Sequence, residues 1–452
     1  MSTNKPHLII IGNGMAGGRL LSELQQHCPT RYRITVFGAE PGGSYNRVLL
    51  SPLLGREIDT ETLIIHRPDW YAAQGIQLIS DCRIARIEPQ QRRLIDADGQ
   101  AYHYDKLVLA TGSEPSQLGV AGETLPQVMG FRTLADVDRL QQMAREGKPA
   151  VVIGGGLLGL EAAEGLRRLG MEVTLVHRSR HLLNRQLDQT AASILQQQLE
   201  ARGLKFELGA NTAAFIGDNA LEAVELQDGR QLPATLAVVA TGITPNTLLA
   251  REAELSCDRA VQVDAQLQTS SPDIYALGEC CQFASHCYGL VAPIWRQAEV
   301  LAKHLAGEST RYKEAPVATQ LKISGIELFS CGRINTDSNG TVETDGSIET
   351  LCYQDPELND YRKLLLRDNR LIGAVLYGDV SAGQWYFEQQ QRGTELSACR
   401  DQLFFGPDYC DELLAAEAES ALAAQPSIYE SSCNTDDNPD TRAAQPAASN
   451  AA

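Results

Sequence analysis

The chain has 452 residues, too many for one hydrophobic core, and about three domains are expected. Its 43% hydrophobic and 21% charged residues are those of an ordinary globular protein, and no apolar run nears the roughly 20 residues that span a bilayer. The formal net charge of −18 argues against nucleic acid and anionic membrane as partners; it suits either docking on a basic patch of another protein or plain solubility.

The polar N-terminal residues 1–7 run straight into a strand and do not read as a secretory signal, so a cytoplasmic location is expected. Eleven cysteines at irregular spacings contain no C-x-x-C pair, which removes the usual zinc and iron–sulfur ligand patterns. Cys280 and Cys281 are adjacent, an awkward geometry for a disulfide, and reduced, buried thiols are expected. The eight histidines form no H-E-x-x-H, and no nucleophile elbow appears, so no metal site is expected.

Residues 8–11 form an all-apolar run ending in Gly12, the pattern of a buried parallel strand. A helix is expected over 15–26 and a second strand over 33–37. The same order of strand, glycine turn, helix and strand recurs at 150–153, 157–169 and 172–176. Each copy reads as a right-handed βαβ unit in a parallel sheet. Two more apolar strands close on a shared phrase: 106–110 leads into Thr111-Gly112-Ser113, and 236–240 into Thr241-Gly242-Ile243. These phrases are read as crossings between two interleaved domains.

The fold class expected is therefore α/β, with two interleaved Rossmann-like dinucleotide-binding domains and a smaller α+β C-terminal domain. The boundaries expected are 1–115 with 245–310 for the discontinuous first domain, 116–244 for the second and 311–412 for the C-terminal domain. In the last, strands are expected at 319–323, 327–333, 361–367 and 371–377. A flexible tail is expected over 413–452, which is rich in Ala, Ser, Asn and Asp.

The first fingerprint is Gly12-Asn13-Gly14-Met15-Ala16-Gly17. Gly12 permits the tight turn, Gly14 lets the backbone approach a pyrophosphate, and Gly17 allows close helix–strand packing. Glu40 is the carboxylate expected to bind ribose hydroxyls beyond the second strand. The second fingerprint is Gly154-Gly155-Gly156-Leu157-Leu158-Gly159. Two copies in one chain are far more specific than one, and imply an FAD that stays bound with a nicotinamide that comes and goes.

These motifs resemble those of the two-dinucleotide flavoprotein reductases. Ser44-Tyr45-Asn46-Arg47 resembles their Tyr-Asp-Arg segment near the flavin pyrophosphate, with Asn46 departing from it. The stretch Ile274-Tyr275-Ala276-Leu277-Gly278-Glu279-Cys280 resembles their second FAD motif, with Glu279 where most have Asp. That variant, with Tyr288-Gly289-Leu290-Val291-Ala292-Pro293, Gln186-Leu187-Asp188 and Gly373-Ala374-Val375, is similar to the N-terminal half of the large subunit of NADH-dependent nitrite reductase. Those enzymes continue into iron–sulfur and sirohaem modules that this chain lacks, so it is read as resembling most the FAD-containing electron-transfer subunits of assimilatory nitrate reductase.

The resemblance implies FAD at Gly12, Gly14, Met15, Ala16, Gly17, Glu40, Arg47, Ala110, Thr111, Gly112, Gly278, Glu279 and Trp295. It implies NAD(P)H at Gly154, Gly156, Leu157, Leu158, Gly159, Glu161, His177, Arg178, Thr241 and Gly242. Glu161 is expected near the nicotinamide and Trp295 near the flavin ring, or else as a solvated carboxylate and a packed aromatic. His177-Arg178-Ser179-Arg180 stands where an NADH site usually ends its second strand with an acid. Two arginines can hold a 2′-phosphate, yet the nitrite-reductase-like proteins often lack the acid and use NADH, so NADH is expected with NADPH left open. Disulfide and peroxide chemistry is disfavoured, since residues 40–60 contain no cysteine. The function implied is hydride transfer from NADH to FAD, then single electrons to a partner with an iron–sulfur or molybdenum centre, nitrate reductase foremost. A rubredoxin or ferredoxin reductase, an NADH oxidase and a flavin-based redox sensor are the alternatives.

Overall fold

The computed structural model describes residues 5–323, 325–335 and 348–423. The first βαβ unit is β1 (His7–Ile11), α1 (Met15–His27) and β2 (Arg33–Phe37), followed by α2 (Leu50–Leu54), β3 (Ile76–Ile79), β4 (Lys106–Leu109) and the short β5 (Ser113–Pro115). Next come β6 (Val128–Met129), α3 (Leu134–Met143), β7 (Pro149–Ile153), α4 (Leu157–Arg168), β8 (Glu172–His177), α5 (Gln189–Ala201) and β9 (Lys205–Leu208). The chain returns through β10 (Leu236–Val239), the short β11 (Ile243–Pro245), β12 (Ile274–Ala276) and α6 (Val291–Ala306).

These strands build two parallel five-stranded sheets, ordered β12-β4-β1-β2-β3 and β6-β10-β7-β8-β9. The expected α/β class with two Rossmann-like sheets is what the chain adopts. Each sheet is covered on both faces, as the uninterrupted apolar strands require. In β1, Leu8 and Ile10 pack with Leu20, Leu21 and Leu24 of α1, while Ile9 and Ile11 face the layer of Ile84, Ile87 and Leu94. β7 repeats the alternation: Ala150 and Val152 pack with Leu160 and Leu166 of α4, and Val151 and Ile153 with Phe215 and Val224. Leu8, Ile9 and Ile10 are fully buried, each stabilising the fold by roughly 1.5–3 kcal/mol.

The two crossing segments pair with one another. β5 runs antiparallel to β11, Ser113 opposite Pro245. Gly112 O accepts from the Asn246 amide at 2.9 Å, and Gly242 O accepts from the Ser116 amide at 3.0 Å. Each crossing glycine thus accepts from the residue four beyond the other.

Beyond α6 lies an antiparallel sheet of β13 (Thr319–Ile323), β14 (Ile326–Gly332), β15 (Ile348–Asp355), β16 (Asp360–Arg367) and β17 (Arg370–Tyr377), in the order β13-β14-β17-β16-β15, with helix α7 (Gly383–Arg392) against β17. Sequence reading missed β15, whose side chains are mostly exposed and lack an apolar alternation. No compact-unit boundary falls near residue 311. Ile326, Leu328, Tyr361, Val375 and Tyr377 share one apolar core with Leu182, Leu187 and Leu195 of the second sheet's layer, so the compact unit extends to Thr394.

A second compact unit begins at Glu395. It contains 3-10 turns over Ser397–Phe405 and the helix α8 (Pro407–Ala423). The expected flexible tail over 413–452 is corrected for its first part, because α8 continues through it to Ala423; its remainder lies outside the described residues.

Candidate functional site

The two glycine turns are built alike. Gly12 has φ +115° and its amide donates to Phe37 O at 2.8 Å; Gly154 has φ +124° and its amide donates to Val176 O at 2.8 Å. A Cβ on Gly12 would run into Ala110 O, and one on Gly154 into Ala240 O. One on Gly17 would run into Gly12 O, and one on Gly159 into Gly154 O. Only glycine lets helix, strand and crossing approach this closely.

Gly14 caps α1 and Gly156 caps α4, neither helix having a side-chain cap or an acid in its first turn. Their first N–H groups, from Met15 and Ala16 and from Leu157 and Leu158 onward, are unspent at the positive end of a helix dipole. Around a Cβ on Gly156 nothing lies within 4 Å, and at Gly14 the nearest atom is an Arg47 nitrogen at 3.9 Å. A pyrophosphate fits both cradles.

Glu40 and Arg47 are brought to the first cradle together. Arg47 Nη2 donates to Glu40 Oε1 at 2.5 Å and the Tyr45 hydroxyl donates to Glu40 Oε2 at 2.7 Å. Each oxygen retains a lone pair for a ribose hydroxyl. Asn46, the departure from the family pattern, accepts from the Val48 amide at 3.0 Å and so starts the next turn.

The crossing adds a second cluster. Gly278, φ +85°, has its would-be Cβ 2.9 Å from Ala16 Cβ, which sets Glu279 beside the first cradle. Ser113 Oγ donates to Glu279 Oε2 at 2.8 Å, and Arg132 Nη2 forms an ion pair with the same oxygen. Arg132 Nε also donates to Ser113 O at 3.0 Å, while Arg132 O accepts from Arg47 Nη1 at 3.3 Å. Gln297 Oε1 accepts the Gly278 amide at 2.8 Å. Ala110, Thr111 and Gly112 lie in this crossing, with Asn246 Nδ2 donating to Thr111 O at 2.9 Å. Arg132, Ser113 and Gln297 were not singled out from the sequence. The only local trace of Arg132 is its place just before the capping box of Thr133 and Asp136.

At the second cradle, Thr241 and Gly242 are exposed, the latter with φ +139°. His177 ends β8, and its Nδ1 accepts the Gly155 amide at 3.0 Å. Burial, reinforced by Arg178, holds its pKa below the usual histidine range. Arg178 is exposed.

Glu161 is not a solvated helix carboxylate. Its Oε2 accepts from Ser51 Oγ of α2 at 2.7 Å, and burial raises its pKa above the usual carboxylate range, partly offset by that hydroxyl. Trp295 is half-buried, and the ring contact recorded for it is with Arg19 of α1, whose Cζ lies 5.6 Å from the ring centroid.

Two parallel sheets, each with an open helix terminus behind a glycine turn and linked by paired crossings, define a protein with two dinucleotide-binding folds. The chain belongs to the pyridine nucleotide-disulphide oxidoreductase family, which it matches over residues 6–320; residues 316–391 match the rubredoxin NAD+ reductase C-terminal domain. It is 39% identical over 430 residues to a nitrite reductase [NAD(P)H] of Bacillus subtilis (strain 168), covering 95% of this chain and 52% of that protein. It is 37% identical over 400 residues to an assimilatory nitrate reductase electron transfer subunit of the same organism, covering 88% of this chain and 51% of that one. Among solved structures it resembles the covalent putidaredoxin reductase–putidaredoxin complex, with TM-score 0.79, 25% identity and coverage of 91% of this chain and 98% of that one.

The chain thus spans about half the length of both curated relatives. Among the described residues, no helix is long and apolar enough to cross a membrane.

Proposed function

We propose that the chain oxidises NADH and passes the electrons, through FAD, to a protein partner carrying an iron–sulfur or molybdenum centre, nitrate reductase in the first place. The observation that carries this is the duplicated glycine turn, open at both helix termini and joined through β5 and β11. A bound FAD supplies acceptance of a hydride and release of its electrons one at a time.

The residues do the positioning. Gly12, Gly14 and Gly17 with the α1 terminus, from Met15 and Ala16, would hold the FAD pyrophosphate. Glu40 would hold ribose and Arg47 would offset phosphate charge. Ala110, Thr111, Gly112, Gly278 and Glu279 would line the flavin side, with Arg132 and Ser113 orienting Glu279. Gly154, Gly156 and Gly159 with the α4 terminus, from Leu157 and Leu158, would hold the nicotinamide dinucleotide, with His177 and Arg178 at its adenosine end and Thr241 and Gly242 at the crossing. Glu161, held by Ser51, would sit on the nicotinamide side between α2 and α4, where burial raises its pKa. Trp295 is retained as a flavin-side residue on its place in the first turns of α6. We place the protein in the cytoplasm, where buried thiols such as Cys280 and Cys281 stay reduced.

The name of the second Bacillus relative supports nitrate reductase as acceptor. A second reading, a rubredoxin- or ferredoxin-type acceptor, is favoured by the match over 316–391 and by the putidaredoxin complex. Anaerobic mixing of the purified protein with NADH should bleach the flavin, and adding nitrate reductase or rubredoxin should restore its colour with the true acceptor. A flavin that NADH leaves unbleached would overturn the reading.

A further inference from the structure

We propose that the basic cluster where the strands of the first parallel sheet begin is a binding site for a phosphate group, carried by inorganic phosphate or by a small phosphate ester. The site is distinct from the two cofactor cradles and does not rest on how either is filled.

β12, β4, β1 and β2 lie side by side and run parallel, so their starts come together at one end of the sheet and Gly12, Gly112 and Gly278 at the other. His7 and Arg33 stand opposite each other as β1 and β2 begin, Lys106 opens β4, and Asp273 immediately precedes β12. With Lys5, Arg92 and Asp105 they line an open cavity of about 420 Å³. The five residues of β1, at about 3.3 Å each, put it roughly 16 Å from the Gly12 turn.

Four cations meet two carboxylates there. Arg92 and Lys106 share Asp273, at 2.6 and 3.0 Å. Asp105 spends one oxygen on the His7 amide at 2.6 Å and forms no ion pair among the described residues. Lys5 has neither hydrogen bond nor ion pair among them, and Arg33 has the His7 ring alone. The cavity therefore keeps an excess of two positive charges in a chain of net charge −18. Repulsion from remote carboxylates is screened beyond about 8 Å at physiological salt, so the local excess decides what enters.

The His7 ring shows that Arg33 lacks a settled partner. Burial, reinforced by Arg33, lowers the pKa of His7, so the ring is neutral and carries one proton. Its Nδ1 nevertheless lies 2.7 Å from both His103 O and Arg33 Nη2. With the proton on Nδ1, the ring donates to His103 O but confronts an Arg33 donor. With the proton on Nε2, it accepts from Arg33 but turns a lone pair on a carbonyl oxygen. Either way one close contact is unsatisfied, at a residue only 8% exposed. An anion in the cavity removes the conflict: Arg33 turns to it, Nδ1–H keeps His103 O, and Nε2 accepts from Thr35 Oγ1 at 2.8 Å. Phosphate suits this set, because a guanidinium pairs with two of its oxygens and leaves a third for an ammonium such as that of Lys5.

The test is calorimetric titration of the FAD-loaded full chain, at fixed ionic strength and with NAD+ present, against inorganic phosphate and against glycerol 3-phosphate. Binding of at least one is expected, and the tighter of the two identifies the source of the phosphate group. The double variant Lys5→Ala, Arg33→Ala is expected to bind it at least about tenfold more weakly while keeping its FAD absorbance. Lys5→Ala alone, at an exposed residue, is expected to lose about threefold, and gives the answer if the double variant does not fold. Absence of binding by both probes in the wild-type chain overturns the site. So does binding that these variants leave unchanged, since the phosphate then sits elsewhere.

Discussion

The Tyr361 hydroxyl donates to the Asp188 carboxylate at 2.7 Å, a buried contact between residues 173 apart in the chain. The same carboxylate accepts from Lys363 Nζ at 3.0 Å and from the Ala191 amide at 3.1 Å, where it caps α5. One side chain therefore starts a helix of the second sheet's layer and fastens the antiparallel sheet to it. Asp188→Asn keeps the shape but leaves the 11%-exposed Lys363 without its counter-charge, and should cost about 3 kcal/mol of stability. Tyr361→Phe removes one hydrogen bond and should cost about 1 kcal/mol. Urea melts of the two variants check the ranking; equal losses would mean that the charge contributes nothing beyond the hydrogen bond.

The equivalence of the two glycine turns predicts unequal consequences. A Cβ on Gly17 or on Gly159 meets a backbone oxygen that cannot turn aside. Gly17→Ala should purify without FAD absorbance and melt lower, by about 1–3 kcal/mol of overpacking. Gly159→Ala should pay a similar stability cost yet retain FAD, and should lose bleaching by NADH. If Gly159→Ala is the variant that loses FAD, the two assignments are exchanged.

Arg132 and Glu279 are 16% and 18% exposed as side chains, so their ion pair is substantially desolvated. Arg132→Ala leaves Glu279 with only the Ser113 hydroxyl and should destabilise by about 3 kcal/mol, with weaker FAD retention. Arg132→Lys should recover part of both, having charge without the fork that reaches Ser113 O. Dialysis followed by the flavin absorbance ratio measures retention.

Glu161 carries a pH signature. Burial raises its pKa in the folded chain, so the folded state binds a proton that the unfolded chain has released above the unperturbed value of 4.5. Its contribution to stability therefore falls as pH rises from there through the folded value. Glu161→Gln can still accept from Ser51 and has nothing to release. The variant should narrow the gap in melting temperature between about pH 4 and about pH 7, with most of the gain on the neutral side. An unchanged gap would place the titration elsewhere.

Much of the cofactor framework is local and therefore readable along the chain. Glycine spacing, the apolar strand before it and the helix after it are neighbours in sequence, and the Gly12 and Gly154 turns follow from them. Glu40 and Arg47 also lie close in sequence, and their ion pair joins two residues singled out for the same ligand. Arg132 and Ser113 escaped notice because their partner Glu279 is 147 and 166 residues away, brought near only when the chain crosses back. Trp295 follows the second FAD motif in sequence, but the neighbour of its ring, Arg19 of α1, is set by packing between two distant helices and could not be read along the chain.

Sequence by itself determined the two glycine fingerprints, because the backbone conformations they need are open to glycine and closed to residues with a Cβ. Through them it determined two parallel sheets and room for two dinucleotides. Only the tertiary structure decided what surrounds those fingerprints. His177 could be seen to replace an acid, but not to turn its ring onto the Gly155 amide and leave the following arginines unpaired. Asp188 could be seen as part of a motif shared with the nitrite reductases, but not as the anchor of a sheet that begins more than a hundred residues later. A glycine turn is dictated by local sterics, whereas a charge takes its meaning from whichever partner the folded chain brings within reach.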